Sequence, residues 1–272
     1  MARTLEMASF TSAIQLTQSL LMENWSQFVS NLMEVSRTRN PEFLHQARVG
    51  WRRFNSTLRF FKPLLPICSD IPPKSLRPLL DLMGKARDVD VVVNEILPLW
   101  FDTYTNGDPR RKQQWNAMIK LLVSSLKQGR LDIGLKIHEP GIKNGLKSVS
   151  IWIGALQHAE AFDKNDLSGR KFRKWMAHRL GHHYRKLNYF NQKNKTHHQH
   201  KARILAKQFR YEVEMLSPIL THKWNQKPLL KAKKMQAQIG LSRDRLRAYK
   251  LVKSLRDYPE VVYFIQSRLD AR

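Results

Sequence analysis

Two stretches of the chain place histidine and cationic side chains at the spacing of a single helix face. Residues 45–59 read HQARVGWRRFNSTLR, and residues 200–214 read HKARILAKQFRYEVE. At about 100° per residue, His45, Arg48, Arg52 and Arg59 fall within about 60° of one another on a helix. His200, Arg203, Lys207 and Arg210 fall within about 80° of one another in the second stretch. A helix built only for solubility interleaves Glu and Lys at i,i+4. These two stack cations at that spacing instead, with Glu214 as the one exception, at the position equivalent to Arg59. Arginine offers planar, bidentate donors to phosphate oxygens, lysine adds a mobile point charge, and histidine gains charge beside an anion. The pattern suits a chain of phosphates better than a single carboxylate.

The elements that must position these side chains read as helices throughout. Ala47, Trp51, Phe54, Leu58, Phe61 and Leu65 form an apolar face roughly 120° from the first cationic ladder. Ala202, Ala206, Phe209, Val213 and Leu216 do the same for the second. Residues 4–36 carry apolar residues at three and four, and Pro41 suits the first turn of a helix reaching about Phe61. A short helix is expected to end near Gly84, with another running from Asp88 to about Tyr104. Asp108-Pro109 opens a further helical segment, and alternating strand patterns are missing.

The two ladders belong to an internal repeat. His45 matches His200, Arg48 matches Arg203, Arg52 matches Lys207 and Phe54 matches Phe209. Further on, Gly84-Lys-Ala-Arg-Asp88 matches Gly240-Leu-Ser-Arg-Asp244, at nearly the same offset. An all-α architecture of two four-helix bundles about a pseudo-two-fold follows. Residues 1–105 make the first bundle, 106–167 connect, and 168–272 make the second. Gln208 stands where the first copy has Arg53, so the ladders need not contribute equally. At the paired turns, Gly84 and Gly240 are expected to end helices in the left-handed conformation and Asp88 and Asp244 to cap the next ones. Arg87 and Arg243 would then sit beside free N–H groups at a positive dipole end, a favourable anion site.

Composition sets the outer bounds. The 272 residues hold 48 Lys+Arg against 22 Asp+Glu, a formal net charge of +26, while hydrophobic residues make up 42%. So apolar a chain is no disordered basic tail, and so cationic a chain needs a polyanionic partner to offset self-repulsion. Residues 168–211 carry thirteen Lys/Arg, six His and no Asp or Glu. The single cysteine, Cys68, excludes a disulfide framework and fits a reducing cytosol. No signal peptide and no spanning segment is visible, so a cytoplasmic protein is expected.

His178, His182 and His183, followed by His197, His198 and His200, invite a zinc reading. Its weakness is that residues 168–211 offer no carboxylate or cysteine to complete the site, and surrounding cations oppose a divalent metal. Phosphate contact or plain exposure suits them better. Trp25, Trp51, Trp100, Trp152 and Trp175 stand at core spacing. No Ser-His-Asp order, phosphate-binding glycine loop or paired carboxylates point to catalysis, and no cofactor or metal is expected.

The paired His-x-x-Arg helices, the KQFRYEVE segment and the two Gly-x-x-Arg-Asp turns together resemble the CHAD domain, the conserved histidine α-helical domain, over about residues 5–270. The resemblance implies two four-helix bundles with basic residues lining a central groove or cavity. It implies non-enzymatic binding of inorganic polyphosphate and association with polyphosphate granules, with polyhydroxyalkanoate granules open as a second target. It carries the binding role to His45, Arg48, Arg52, Arg59, Arg87, His200, Arg203, Lys207, Arg210 and Arg243. Some members are fused to a CYTH triphosphatase-type domain. This chain reads as a stand-alone version, since Glu212-Val-Glu214-Met-Leu lacks the lysine of an ExExK strand. The alternative partner is nucleic acid bound through its backbone, and a phosphohydrolase is a third reading.

Overall fold

The structure, a computed structural model, describes residues 13–38, 40–65, 71–156, 169–193, 196–217 and 227–270. Cys68 lies outside them, as do residues 4–12 of the expected first helix. The described residues are helical and contain no strand. They form α1 (Ala13–Arg37), α2 (Pro41–Phe61), α3 (Arg77–Val91), α4 (Phe101–Thr105), α5 (Pro109–Ile137), α6 (Pro140–Ala155), α7 (Gly169–Asn191), α8 (Thr196–Leu216), α9 (Lys227–Ser254) and α10 (Pro259–Asp270). None of these helices is long and apolar enough to cross a membrane.

Local chemistry sets several boundaries. Asn40 Oδ1 accepts from the Glu42 N–H at 2.9 Å just before α2, whose first residue is Pro41. Asn106 ends α4 in the left-handed region with φ 42°, and Gly107 follows at φ 78°. Asp108 then caps α5, its carboxylate accepting from Arg110 N–H at 2.8 Å and Arg111 N–H at 3.3 Å.

The repeat-linked turns are a correction. Gly84 and Gly240 lie inside α3 and α9, and neither has a positive φ. Asp88 and Asp244 therefore cap nothing. A mid-helix glycine costs only about 1 kcal/mol against alanine, which packing readily outweighs. The helix expected from Asp88 to Tyr104 is instead the end of α3, a π-helical turn over Val92–Ile96, a 3-10 turn over Leu97–Trp100, and α4.

The residues group into two compact units, and neither is a continuous stretch of chain. One comprises residues 1–30, 46–73 and 146–239. The other comprises 31–45, 74–145 and 240–272. Each draws on both copies of the repeat, and α1, α2, α6 and α9 each supply residues to both.

The first unit buries Leu16, Leu20, Phe60, Phe61, Phe172, Met176, Leu180, Phe209 and Val213 in one cluster. At ~1.5–3 kcal/mol for each large apolar side chain, this cluster is what orients α1, α2, α7 and α8. Trp25 is 2% exposed and its indole N–H donates to Ser150 Oγ on α6 at 2.9 Å. In the second unit Tyr104 packs its ring against Trp115 of α5 and Phe264 of α10, with centroids at 5.3 and 5.2 Å.

Candidate anion-binding site

The face assigned to the core is buried on α8 and in part on α2, where Trp51, Leu58 and Leu65 are half-buried and Thr57 and Phe60 are buried instead. On α2, Ala47, Phe54 and Phe61 are inaccessible to solvent. On α8, Ala202, Ala206, Phe209, Val213 and Leu216 are at most 1% exposed. Burying those faces leaves Arg48 and Arg52 on α2, and Arg203, Lys207 and Arg210 on α8, half-buried, with Arg59 exposed. Half-burial packs the stems against the protein, and the Nε atoms of Arg48, Arg203 and Arg210 are themselves buried. All six belong to the same compact unit, where Thr57 of α2 and Met215 of α8 touch, Oγ1 to Sδ 2.9 Å. His45 is half-buried and falls in the other unit. The side chains of His197 and His200 lie outside the described residues.

Arg210 of the α8 ladder makes contacts within its own helix. Arg210 stands over the Tyr211 ring at 4.7 Å, with Nε 3.9 Å from Glu214 Oε1. Lys233 Nζ approaches the same oxygen at 3.7 Å. Glu214 thus draws cations to the end of the α8 stripe where α2 carries Arg59.

Arg87 and Arg243 do not sit at the helix starts expected of them. Both sit inside helices, where N–H groups are already bonded and no dipole end is exposed. Arg87 is bonded to Asp90, and its second terminal nitrogen donates to Glu95 Oε1 at 2.8 Å. Its charge is spent on holding Asp90, buried in full beside the π-helical turn. Asp88 and Asp244 converge on Arg247, at 3.2 and 3.0 Å, rather than on any ladder arginine.

The feature the sequence reading missed lies where α7 meets α8. Glu212 is buried in full. The His183 Nδ1 nitrogen donates to its Oε2 at 2.7 Å, and Gln208 Nε2 donates to its Oε1 at 2.8 Å. Arg179 lies nearby. One terminal nitrogen donates to the Arg59 carbonyl at 3.1 Å, and the guanidinium stands 5.6 Å over both Phe60 and Trp175. Burial pulls the Arg179 pKa below the ordinary arginine range, and the Glu212 charge partly restores it. A cation against a carbonyl in the last turn of α2 also complements that helix's negative end. His182, one residue on, is pulled below the usual histidine value by desolvation, then by His183, Arg185, Lys186 and Arg179. Among the described residues no group of three His, Cys, Asp or Glu could hold a metal ion.

A family model for the CHAD domain matches residues 19–252, a span that contains α2 and α8 whole. The chain belongs to the CHAD domain family. The crystal structure of the CHAD domain from the plant Ricinus communis superposes with a TM-score of 0.79, covering 96% of this chain and 86% of that one. Identity between the two is 21%, so the likeness is one of fold. No curated protein matches the chain. Within this CHAD domain the described cationic ladder side chains, His45 aside, share one unit, and their apolar backs form part of its core.

Proposed function

We propose that this CHAD domain binds inorganic polyphosphate without cleaving it, in a family associated in general with polyphosphate. The observation that carries the reading is the pair of cationic faces on α2 and α8, held in one unit by the apolar residues packed behind them. The polyanion lies along Arg48, Arg52 and Arg59 on one helix and Arg203, Lys207 and Arg210 on the other, with His45 and His200 at the ladder starts. The duplication relates α2 to α8 by a pseudo-two-fold, so the two faces line one basic groove. Charge-assisted hydrogen bonds from arginine supply the grip, and half-buried stems reduce the ordering entropy that binding costs. The protein works in the cytoplasm, on polyphosphate granules.

A competition assay tests this. Labelled long-chain polyphosphate is titrated with the intact protein, and unlabelled polyphosphate or DNA of equal phosphate content is added. Polyphosphate displaces the label at lower phosphate concentration than DNA does. Reversing Arg48, Arg52, Arg203 and Lys207 to Glu weakens binding by two orders of magnitude or more while the thermal melt stays cooperative. Binding left intact by that variant sinks the reading, and stronger displacement by DNA makes nucleic acid the partner.

A further inference from the structure

The histidines of α7 are not accounted for by the α2 and α8 ladders. Phe172, Met176, Leu180 and Leu187 are buried on one side of this helix. At about 100° per residue, His178, His182, Arg185 and Tyr189 fall on the opposite side with Lys186 on its flank, and all five are exposed. Tyr189 is 54% exposed, unusual for a large ring in a cationic stripe. It meets Phe190 edge to face, with centroids 5.1 Å apart and an interplanar angle of 85°. Lys193 Nζ lies 5.0 Å from the Tyr189 centroid. Lys201, from α8, lies 4.3 Å from the Phe190 centroid. No acidic residue occurs anywhere in residues 168–211 to neutralise this face.

The stripe differs chemically from the two ladders. They offer charge alone toward a ligand, whereas α7 offers charge with an exposed aromatic ring. A bare phosphate chain has no use for the ring. A single-stranded nucleic acid uses both, since its backbone tracks the cations and a base stacks on the ring whatever its identity. The lysine over Tyr189 does not stand in the way, because a stacking base arrives with its own phosphate for that ammonium.

We propose that the outward face of α7 binds single-stranded nucleic acid, with Tyr189 as the stacking platform and His182, Arg185, Lys186 and Lys193 as backbone contacts. This is a second site, separate from the polyphosphate-binding faces of α2 and α8.

The test compares an oligothymidylate of about fifteen nucleotides with an abasic oligomer of equal phosphate number, by fluorescence anisotropy at fixed salt. The protein binds the base-bearing strand on the order of tenfold more tightly. Tyr189→Ala removes that preference, Tyr189→Phe keeps it, and both bind polyphosphate as the parent does. The charge reversal on α2 and α8 has the opposite profile, losing polyphosphate and retaining the preference for bases. Equal affinity for the two strands overturns the proposal. So does a Tyr189→Ala variant that keeps the preference, a Tyr189→Phe variant that loses it, or loss of polyphosphate in parallel with the oligonucleotide. If polyphosphate fails to bind the parent protein while base preference follows Tyr189, the α2 and α8 reading falls and this one stands.

Discussion

Among the described residues of the cationic unit, Glu212 is the only carboxylate buried in full, and it is satisfied from two directions. His183 holds one oxygen and Gln208 the other. A buried pair of this kind adds little over a well-packed apolar replacement, but breaking it leaves an uncompensated polar group and costs about 3–5 kcal/mol. Glu212→Ala is therefore expected to lower the unfolding free energy measured by urea titration by an amount in that range. Changing Glu212 and His183 together to apolar residues recovers part of the loss, because nothing charged is then stranded. A double change as damaging as the sum of the singles contradicts the pairing. The sequence held two clues to this site. Gln208 departs from Arg53 of the first copy, and its amide donates to Glu212 one turn on in the same helix. Glu212 also lies one turn from Phe209 and one from Leu216, both buried. Against that, Arg179 was illegible, because its partner is a backbone carbonyl 120 residues away.

Helices and their faces were the most legible level. Apolar residues at three and four predicted the buried faces of α2 and α8, and Pro41 and Asp108-Pro109 marked helix starts that the structure keeps. Glycine was the least legible signal at this scale, because it serves both as a helix stop and as a close-approach residue, and only tertiary contact tells these apart. Gly84 and Gly240 looked like stops, yet both helices run straight through them. Gly50, inside α2, proves to be a contact. A Cβ built there would lie 2.6 Å from the Phe28 backbone nitrogen and 3.1 Å from the Asn24 carbonyl oxygen, both on α1. Backbone atoms cannot swing aside as a side chain does, so α1 and α2 must separate to admit even a methyl group. Gly50→Ala should destabilise the protein by ~1–3 kcal/mol, the usual overpacking penalty, despite alanine's better helix propensity. At Gly240 a Cβ meets nothing within 4 Å, so Gly240→Ala serves as the control and should be neutral or slightly stabilising. Equal melting temperatures for the two variants count against the close approach of α1 and α2.

At the scale of the molecule, the formal charge of +26 acquires an address. The repeat was visible in sequence, but the grouping of helices was not. The compact units interleave distant stretches of chain, and packing partners so far apart leave no local trace. The result is that both described ladders share a unit with α7, so one body of the protein carries most of the excess charge. A polyanion that neutralises such a surface releases its condensed counterions, and log affinity then falls linearly with log salt, by about 0.7–0.9 per phosphate contacted. Six ladder cations predict a slope of roughly four to five for polyphosphate on the same scale. Each ladder residue replaced by Gln should lower the slope by about one. Arg87→Gln should leave it unchanged, since that guanidinium is already held by Asp90 and Glu95. Titrations of labelled polyphosphate at four or five salt concentrations measure all three quantities. A slope that ignores Arg52→Gln and Arg203→Gln but responds to Arg87→Gln would move the binding surface to the other unit.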